Sequence, residues 1–143
     1  REQSEITVEV GRGEEIELHA GDATKHGTSG RYDSSKGYFG SWTRDDTWLE
    51  WDVTIAKRGA YEIAIVQACP KSQAGSEYTI NVGKATVAAQ VEATGGWEDF
   101  ATNRLGSIEV SETGRLKASV RPTRRLAGAV MNIRAVVLRA KAP

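Results

Sequence analysis

The sequence predicts an all-β fold, a two-sheet antiparallel β-sandwich of the jelly-roll, galactose-binding-like kind, on three observations. Apolar and polar residues alternate over short stretches, the pattern of strands that bury one face. Turn signals return about every 8–12 residues, the spacing of sandwich and barrel strands. Fifteen glycines serve those turns, and no stretch carries the 3.6-residue period of an amphipathic helix.

The elements follow in order. Ile6, Val8 and Val10 alternate, Gly11-Arg12-Gly13 marks a turn, and Ile16 and Leu18 alternate again, which reads as an opening hairpin or a pair of short strands. Residues 20–46 are polar, rich in Gly, Ser, Thr and Asp with a few aromatics, and read as a long loop. Loops of that length in compact domains tend to carry function. Residues 48–55 form the clearest strand, with Leu49, Trp51, Val53 and Ile55 on one face. A turn over 56–59 leads into a strand over 61–68, and 70–75 is a second polar loop. Tyr78, Ile80 and Val82 mark a strand, Gly83-Lys84 a tight turn, and 87–91 its partner. A loop at Thr94-Gly95-Gly96-Trp97 precedes weaker strands over 105–110 and 116–120. Residues 121–128 read as a basic loop and 129–138 as the last strand. The predicted core is Leu49, Trp51, Val53, Ile55, Tyr61, Ile63, Ile65, Tyr78, Ile80, Met131 and Ile133. No repeat, low-complexity segment or linker interrupts the chain, so residues 1–143 read as one domain.

Composition removes several classes of function. Nineteen basic and nineteen acidic residues cancel, leaving no global field to hold nucleic acid or an anionic membrane. No apolar run approaches the ~18 residues of a membrane span. Cys69 is the only cysteine, so neither an internal disulfide nor a thiolate zinc cluster can form, and it reads as a small buried hydrophobe. The chain begins at Arg1 without a signal peptide and reads as a processed chain or a module cut from something larger. No catalytic constellation stands out. Asp45 and Asp46 are adjacent in a turn, whereas glycosidase carboxylates face each other across ~5–9 Å. Glu50 and Asp52 share a strand face and read as structural. His19 and His26 are the only histidines, and no Gly-x-Ser-x-Gly elbow accompanies them. The domain is therefore read as no enzyme.

The aromatics are more informative. Trp48 and Trp51 point to opposite faces of one strand; Trp51 belongs to the core and Trp48 packs beneath the polar loop. Trp42 lies inside the long loop, and Trp97 stands at a Gly-Gly tip, where exposure is expected. Sugars offer C–H faces that stack on aromatic rings, while their hydroxyls need oriented donors and acceptors. The long first loop and residues 94–100 supply both kinds of group.

Gly37-Tyr38-Phe39-Gly40, then Asp46, Trp48, Glu50-Trp51 and Gly59-Ala60-Tyr61, resemble the Gly-Tyr-Ile…Asp-Trp-x-Glu-Tyr…Gly-x-Tyr pattern of family 6 carbohydrate-binding modules. Thr94-Gly95-Gly96-Trp97-Glu98-Asp99-Phe100 resembles that family's Thr-Gly-Gly-Trp-x-x-Trp, and Asn132-Ile133 its closing Asn-Ile-Asp. Asp22-Ala23-Thr24, His26-Gly27, Arg31-Tyr32, Trp42-Thr43, Gly75-Ser76 and Ala129-Val130-Met131 are similar to accessory modules of bacterial fucosidase-like and sulfatase-like proteins. The resemblance implies a sugar site at one end of the sandwich, clamped by Tyr38 and Trp97 and hydrogen-bonded by Asn132. The segment after Phe39 is longer than the family's, which admits Trp42 to the platform beside or in place of Tyr38. The family's last-strand calcium-ligating Asp is Arg134 here, and its Glu-x-Glu is Glu17-Leu18-His19, which argues against a structural calcium, so no cofactor is expected. Arg124 and Arg125, in the basic loop leading to Asn132, are candidates for a sulfate or carboxylate on the glycan.

The resemblance further implies an attached catalytic domain as partner and a secreted, periplasmic or cell-surface location. Two functions remain open: a glycan-binding module, or a structural or protein-interaction sandwich that packs against a catalytic neighbour. Trp97 separates them, being exposed beside Asn132 in the first case and buried in apolar contacts or in an interface in the second.

Overall fold

A computed structural model of the chain describes residues 5–8 and 15–141. Among these, twelve strands form two six-stranded sheets. The first sheet holds β1 (Glu5–Val8), β3 (Thr24–His26), β6 (Trp48–Ile55), β8 (Glu77–Val82), β9 (Ala85–Gln90) and β11 (Gly114–Arg124), in the order β1-β6-β11-β8-β9 with β3 also on β6. The second holds β2 (Glu15–His19), β4 (Arg31–Asp33), β5 (Tyr38–Gly40), β7 (Gly59–Ala68), β10 (Ala101–Val110) and β12 (Asn132–Ala140), in the order β10-β7-β12-β5-β4 with β2 also on β12. Every pairing is antiparallel except that of β1 with β6. Two short 3-10 turns, Ala20–Asp22 and Lys71–Gln73, are the only helical elements among the described residues.

The alternation of β6 explains its place. Leu49, Trp51, Val53 and Ile55 are buried, while Trp48, Glu50, Asp52 and Thr54 face outward. Register sets the small Ala118 of β11 opposite the large Trp51, with Leu116 opposite Val53 and Val120 opposite Leu49. The second sheet presents Tyr61, Ile63 and Ile65 of β7 beside Ile133, Val136 and Leu138 of β12. The Trp51 indole N–H donates to the His19 carbonyl at 2.8 Å, tying the middle of one sheet to the end of a strand in the other. All eleven predicted core residues are at most 1% exposed. Each such side chain contributes roughly 1.5–3 kcal/mol on burial.

Three expectations change. β1 and β2 lie in different sheets, so the opening segments are a pair of short strands and not a hairpin; the Gly11-Arg12-Gly13 turn lies outside the described residues. Residues 20–46 are no loop: β3, β4, β5 and a 3-10 turn occupy much of them. Arg121 and Arg124 stand on β11, which runs on against β8 after its pairing with β6 ends at Val120, with a register shift between Pro122 and Arg124 that accommodates the proline.

Two tryptophans gain definite roles. Trp48 lies on the outer face of the first sheet with the His26 ring parallel to it at 4.0 Å and the Arg121 guanidinium 3.4 Å from its centre. Two groups cannot share one side of a ring at such distances, so both faces of Trp48 are covered. His26 Nε2 also meets the Glu50 carboxylate at 3.1 Å, which gives both residues structural work. Trp42, expected in the sugar platform, is instead part of the core. It is 0% exposed, sits edge-on to Phe39 at 5.4 Å, and donates from Nε1 to the Thr47 carbonyl at 2.9 Å. Its own carbonyl accepts from Val130 N at 2.8 Å, so the segment folds back over the end of the sandwich and carries the indole inward. Trp42→Ala is expected to lower folding stability by ~3–5 kcal/mol in urea denaturation. A stable variant whose only defect is weak sugar binding would return Trp42 to the surface role.

Candidate functional site

The loops and strand ends at β4, β5, residues 94–100 and the start of β12 enclose a cavity of about 360 Å³, lined by Arg31, Asp33, Lys36, Tyr38, Gly40, Ser41, Trp97, Ala129 and Asn132. Local chemistry sets its walls. After β4, the Asp33 carboxylate accepts from Ser35 N at 3.0 Å, Ser35 Oγ at 2.6 Å and Lys36 N at 3.2 Å, and Gly37 takes the left-handed conformation at φ 77°. The Ser35 hydroxyl, first among these, holds the Asp33 carboxyl below its ordinary range. This turn delivers Tyr38 to the cavity wall. Ser41, a non-glycine residue at φ 55°, re-aims the chain as it leaves β5.

Asn132 opens β12 and is 6% exposed. Its Nδ2 donates to the Trp97 carbonyl at 2.7 Å, while its Oδ1 takes no hydrogen bond from the described residues. Gly40 faces that oxygen: a Cβ there would stand 2.6 Å from Oδ1, so glycine leaves room for the amide. The loop carrying Trp97 is pinned at its base, where Thr94 N donates to the Cys69 carbonyl at 2.8 Å and Thr94 Oγ1 accepts from Cys69 N at 3.0 Å. Trp97 remains 36% exposed at the tip.

The same loop grips Tyr38. The Tyr38 hydroxyl and Lys36 Nζ both donate to Glu98 Oε2, at 3.1 and 2.9 Å. The Lys36 bond, then the Tyr38 bond, hold the Glu98 carboxyl below its ordinary value of 4.5. Burial, then the Glu98 contact, pushes the Tyr38 phenol up, so it stays neutral. Phe100 backs the Tyr38 ring at 5.3 Å.

Of the residues expected at a sugar site, Tyr38, Trp97 and Asn132 line one cavity. Trp42 does not; it lies in the core. Arg124 and Arg125 do not either: Arg124 reaches Glu77 at 3.5 Å, and Arg125 donates to Asp45 at 2.7 Å and to the Ala127 carbonyl at 2.8 Å. Their charges are answered by carboxylates away from the cavity. Sequence reasoning missed Arg31, which lines the cavity without a carboxylate partner among the described residues, and missed Lys36 and Glu98. The run Asp33-Ser34-Ser35-Lys36-Gly37 was the available signal, since Asp followed by Ser and Gly marks a side-chain-capped turn.

The last-strand position of the resembled calcium site does not fit a hard cation: Arg134 offers no oxygen, and its guanidinium lies on the Phe100 ring at 4.0 Å. Among the described residues no three His, Cys, Asp or Glu side chains converge on one point. Of the two adjacent carboxylates, Asp45 is paired with Arg125, and Asp46 accepts from Thr28.

The family model described as carbohydrate binding module (family 35) matches residues 28–121. Among curated proteins none matches the chain. Solved structures share the fold at low identity. A family 35 carbohydrate binding module from Clostridium thermocellum is 15% identical, with a TM-score of 0.72 over 90% of this chain and 99% of that one. The C-terminal family 6 module of a laminarinase from Zobellia galactanivorans is 16% identical, with a TM-score of 0.70 over 88% of this chain and 99% of that one. A β-(1,4)-mannanase with a family 35 module from Podospora anserina is 16% identical, with a TM-score of 0.71 over 92% of this chain but only 29% of the enzyme.

The Glu98 contacts give the cavity a pH limit with a definite sign. A carboxylate held below its ordinary value keeps its bonds above 4.5 and loses them as pH falls through the lowered value. The Tyr38 ring signals in NMR are therefore expected to be constant from about pH 6 to about pH 9 and to shift in acid. Glu98→Gln, which still accepts a hydrogen bond, should abolish the acid transition; an unchanged transition in that variant would assign it to another group.

Proposed function

We propose that this chain, which belongs to the family 35 carbohydrate binding modules, takes a pyranose ring into the cavity between Trp97 and Tyr38. Membership of that family makes it a non-catalytic carbohydrate-binding module. The observation that supports this site above others is the exposed Trp97 indole standing beside an Asn132 amide whose oxygen has no donor among the described residues. The ring face of Trp97 suits the axial C–H face of a sugar, and the Asn132 oxygen suits one sugar hydroxyl as donor. Arg31 offers further donors at the rim. An exposed Trp97 also disfavours the form of the docking-domain alternative in which the domain's own apolar contacts cover that indole.

The module's role is to hold an attached catalytic domain against its glycan, at the cell surface, in the periplasm or outside the cell. The Podospora anserina mannanase, where a comparable fold forms part of a longer enzyme, supports that arrangement. No helix among the described residues is long and apolar enough to cross a membrane.

The decisive experiment is a glycan array of neutral, uronic and sulfated sugars, with calorimetry on each hit. A small open site buries little area, so dissociation constants of about 10 µM to 1 mM are expected. Trp97→Ala should remove ~1–2 kcal/mol of affinity, the scale of an aromatic contact, at unchanged folding stability. Arg124→Ala and Arg125→Ala should leave affinity as it is. Full affinity in Trp97→Ala would move the site elsewhere.

A further inference from the structure

Arg134 is the residue through which the last strand reaches the cavity without lining it. β12 pairs with β7 at Ile133↔Gln67 and again at Ala135↔Val66, so Arg134 is the extra residue of a bulge. Ile133 and Val136, three positions apart, are both buried, which shows that the alternation is reset there. The bulge leaves Arg134 exposed, two residues from Asn132, with its guanidinium over the Phe100 ring at 4.0 Å. That side chain makes no ion pair or hydrogen bond among the described residues; the ring is its contact. Phe100 in turn backs Tyr38 at 5.3 Å, with the two rings tilted by 47°.

We infer that Arg134 is a positioning residue for sugar binding, which presses Phe100 against Tyr38 and so fixes the angle of the Tyr38 face in the cavity. The inference rests on the proposed site between Tyr38 and Trp97. Its chemistry is that of a cation on the electron-rich face of a ring, which needs no carboxylate partner. A guanidinium fits this role better than an ammonium because it is flat and stacks over the whole ring. Tyr38 is then held twice, its hydroxyl by Glu98 and its ring by the Arg134–Phe100 stack. Loss of the stack frees rotation about the ring axis while the hydroxyl bond stays.

The test has a ligand-free readout. In NMR spectra of ring-labelled protein, Arg134→Ala should move the Tyr38 ring signals toward their unstructured positions and speed ring flipping at least threefold. The Asn132 amide and Trp97 indole signals should stay in place. Arg134→Lys should recover only part of the change, since an ammonium does not stack over the whole ring, and Phe100→Leu should reproduce it. Thermal unfolding of Arg134→Ala within the error of the parent separates positioning from stability. Unmoved Tyr38 signals in Arg134→Ala would overturn the inference. Titration with galactose and with cellotriose completes the test: whichever probe the parent binds should bind three- to tenfold more weakly in Arg134→Ala. Equal binding there also overturns the inference. Failure of both probes on the parent counts against the proposed site, while the ring signals still decide whether Arg134 positions Tyr38.

Discussion

The Trp51 indole, lying opposite Ala118 and donating to the His19 carbonyl, sets how the two sheets meet. A large ring in the middle of β6 needs a small neighbour on β11 and a carbonyl for its buried N–H, and it has both. With that contact in place, each strand commits its alternate bulky residues to the interior, and the concavity that remains on the outer face of the second sheet is edged by the charged Glu15, Glu17, Glu62, Arg104 and Arg139 and carries no aromatic ring. A site built on aromatic rings is left to where alternation stops, at strand ends and in the segments that join them. The cavity at β4, β5 and the start of β12 obeys that constraint.

One loop then does several jobs at once. Residues 94–100 supply the exposed Trp97, the Glu98 carboxylate that holds Lys36 and Tyr38, and the Phe100 ring behind Tyr38. The loop is itself held by Asn132 through the Trp97 carbonyl and by Cys69 through Thr94. The side chains proposed to touch sugar therefore come from three distant parts of the chain but share one mechanical support. Pre-set geometry of this kind lowers the ordering that binding must supply, which matters for a small open site.

The legible parts of the sequence were those with enough length for a pattern to repeat. β6 shows four inward residues in eight, and the core drawn from it and from β7, β8 and β12 is buried as read. Strands β3, β4 and β5 have three residues each, too few for an alternation to emerge, and glycines at 27, 30 and 37 made the region read as loop. Trp42 was misread for a related reason: whether a loop indole turns in or out is decided by the chain packed above it, here through Val130, which is distant in sequence. Tyr38, Trp97 and Asn132 were legible through the order of short motifs. Arg31, Lys36 and Glu98 were not, because a charged residue in a polar stretch carries no signal until its neighbours in space are known.

The four tryptophans also give the protein an optical property. Trp42 and Trp51 are sealed in the interior, and Trp48 is covered on both faces by His26 and Arg121. Trp97 is the most exposed of the four. Trp42 and Trp51 therefore form a constant background in the intrinsic fluorescence, and the largest share of the red, quencher-accessible emission comes from the indole at the cavity. A ligand that covers Trp97 would shift that component to the blue and shield it from iodide, so occupancy can be followed on the unlabelled protein.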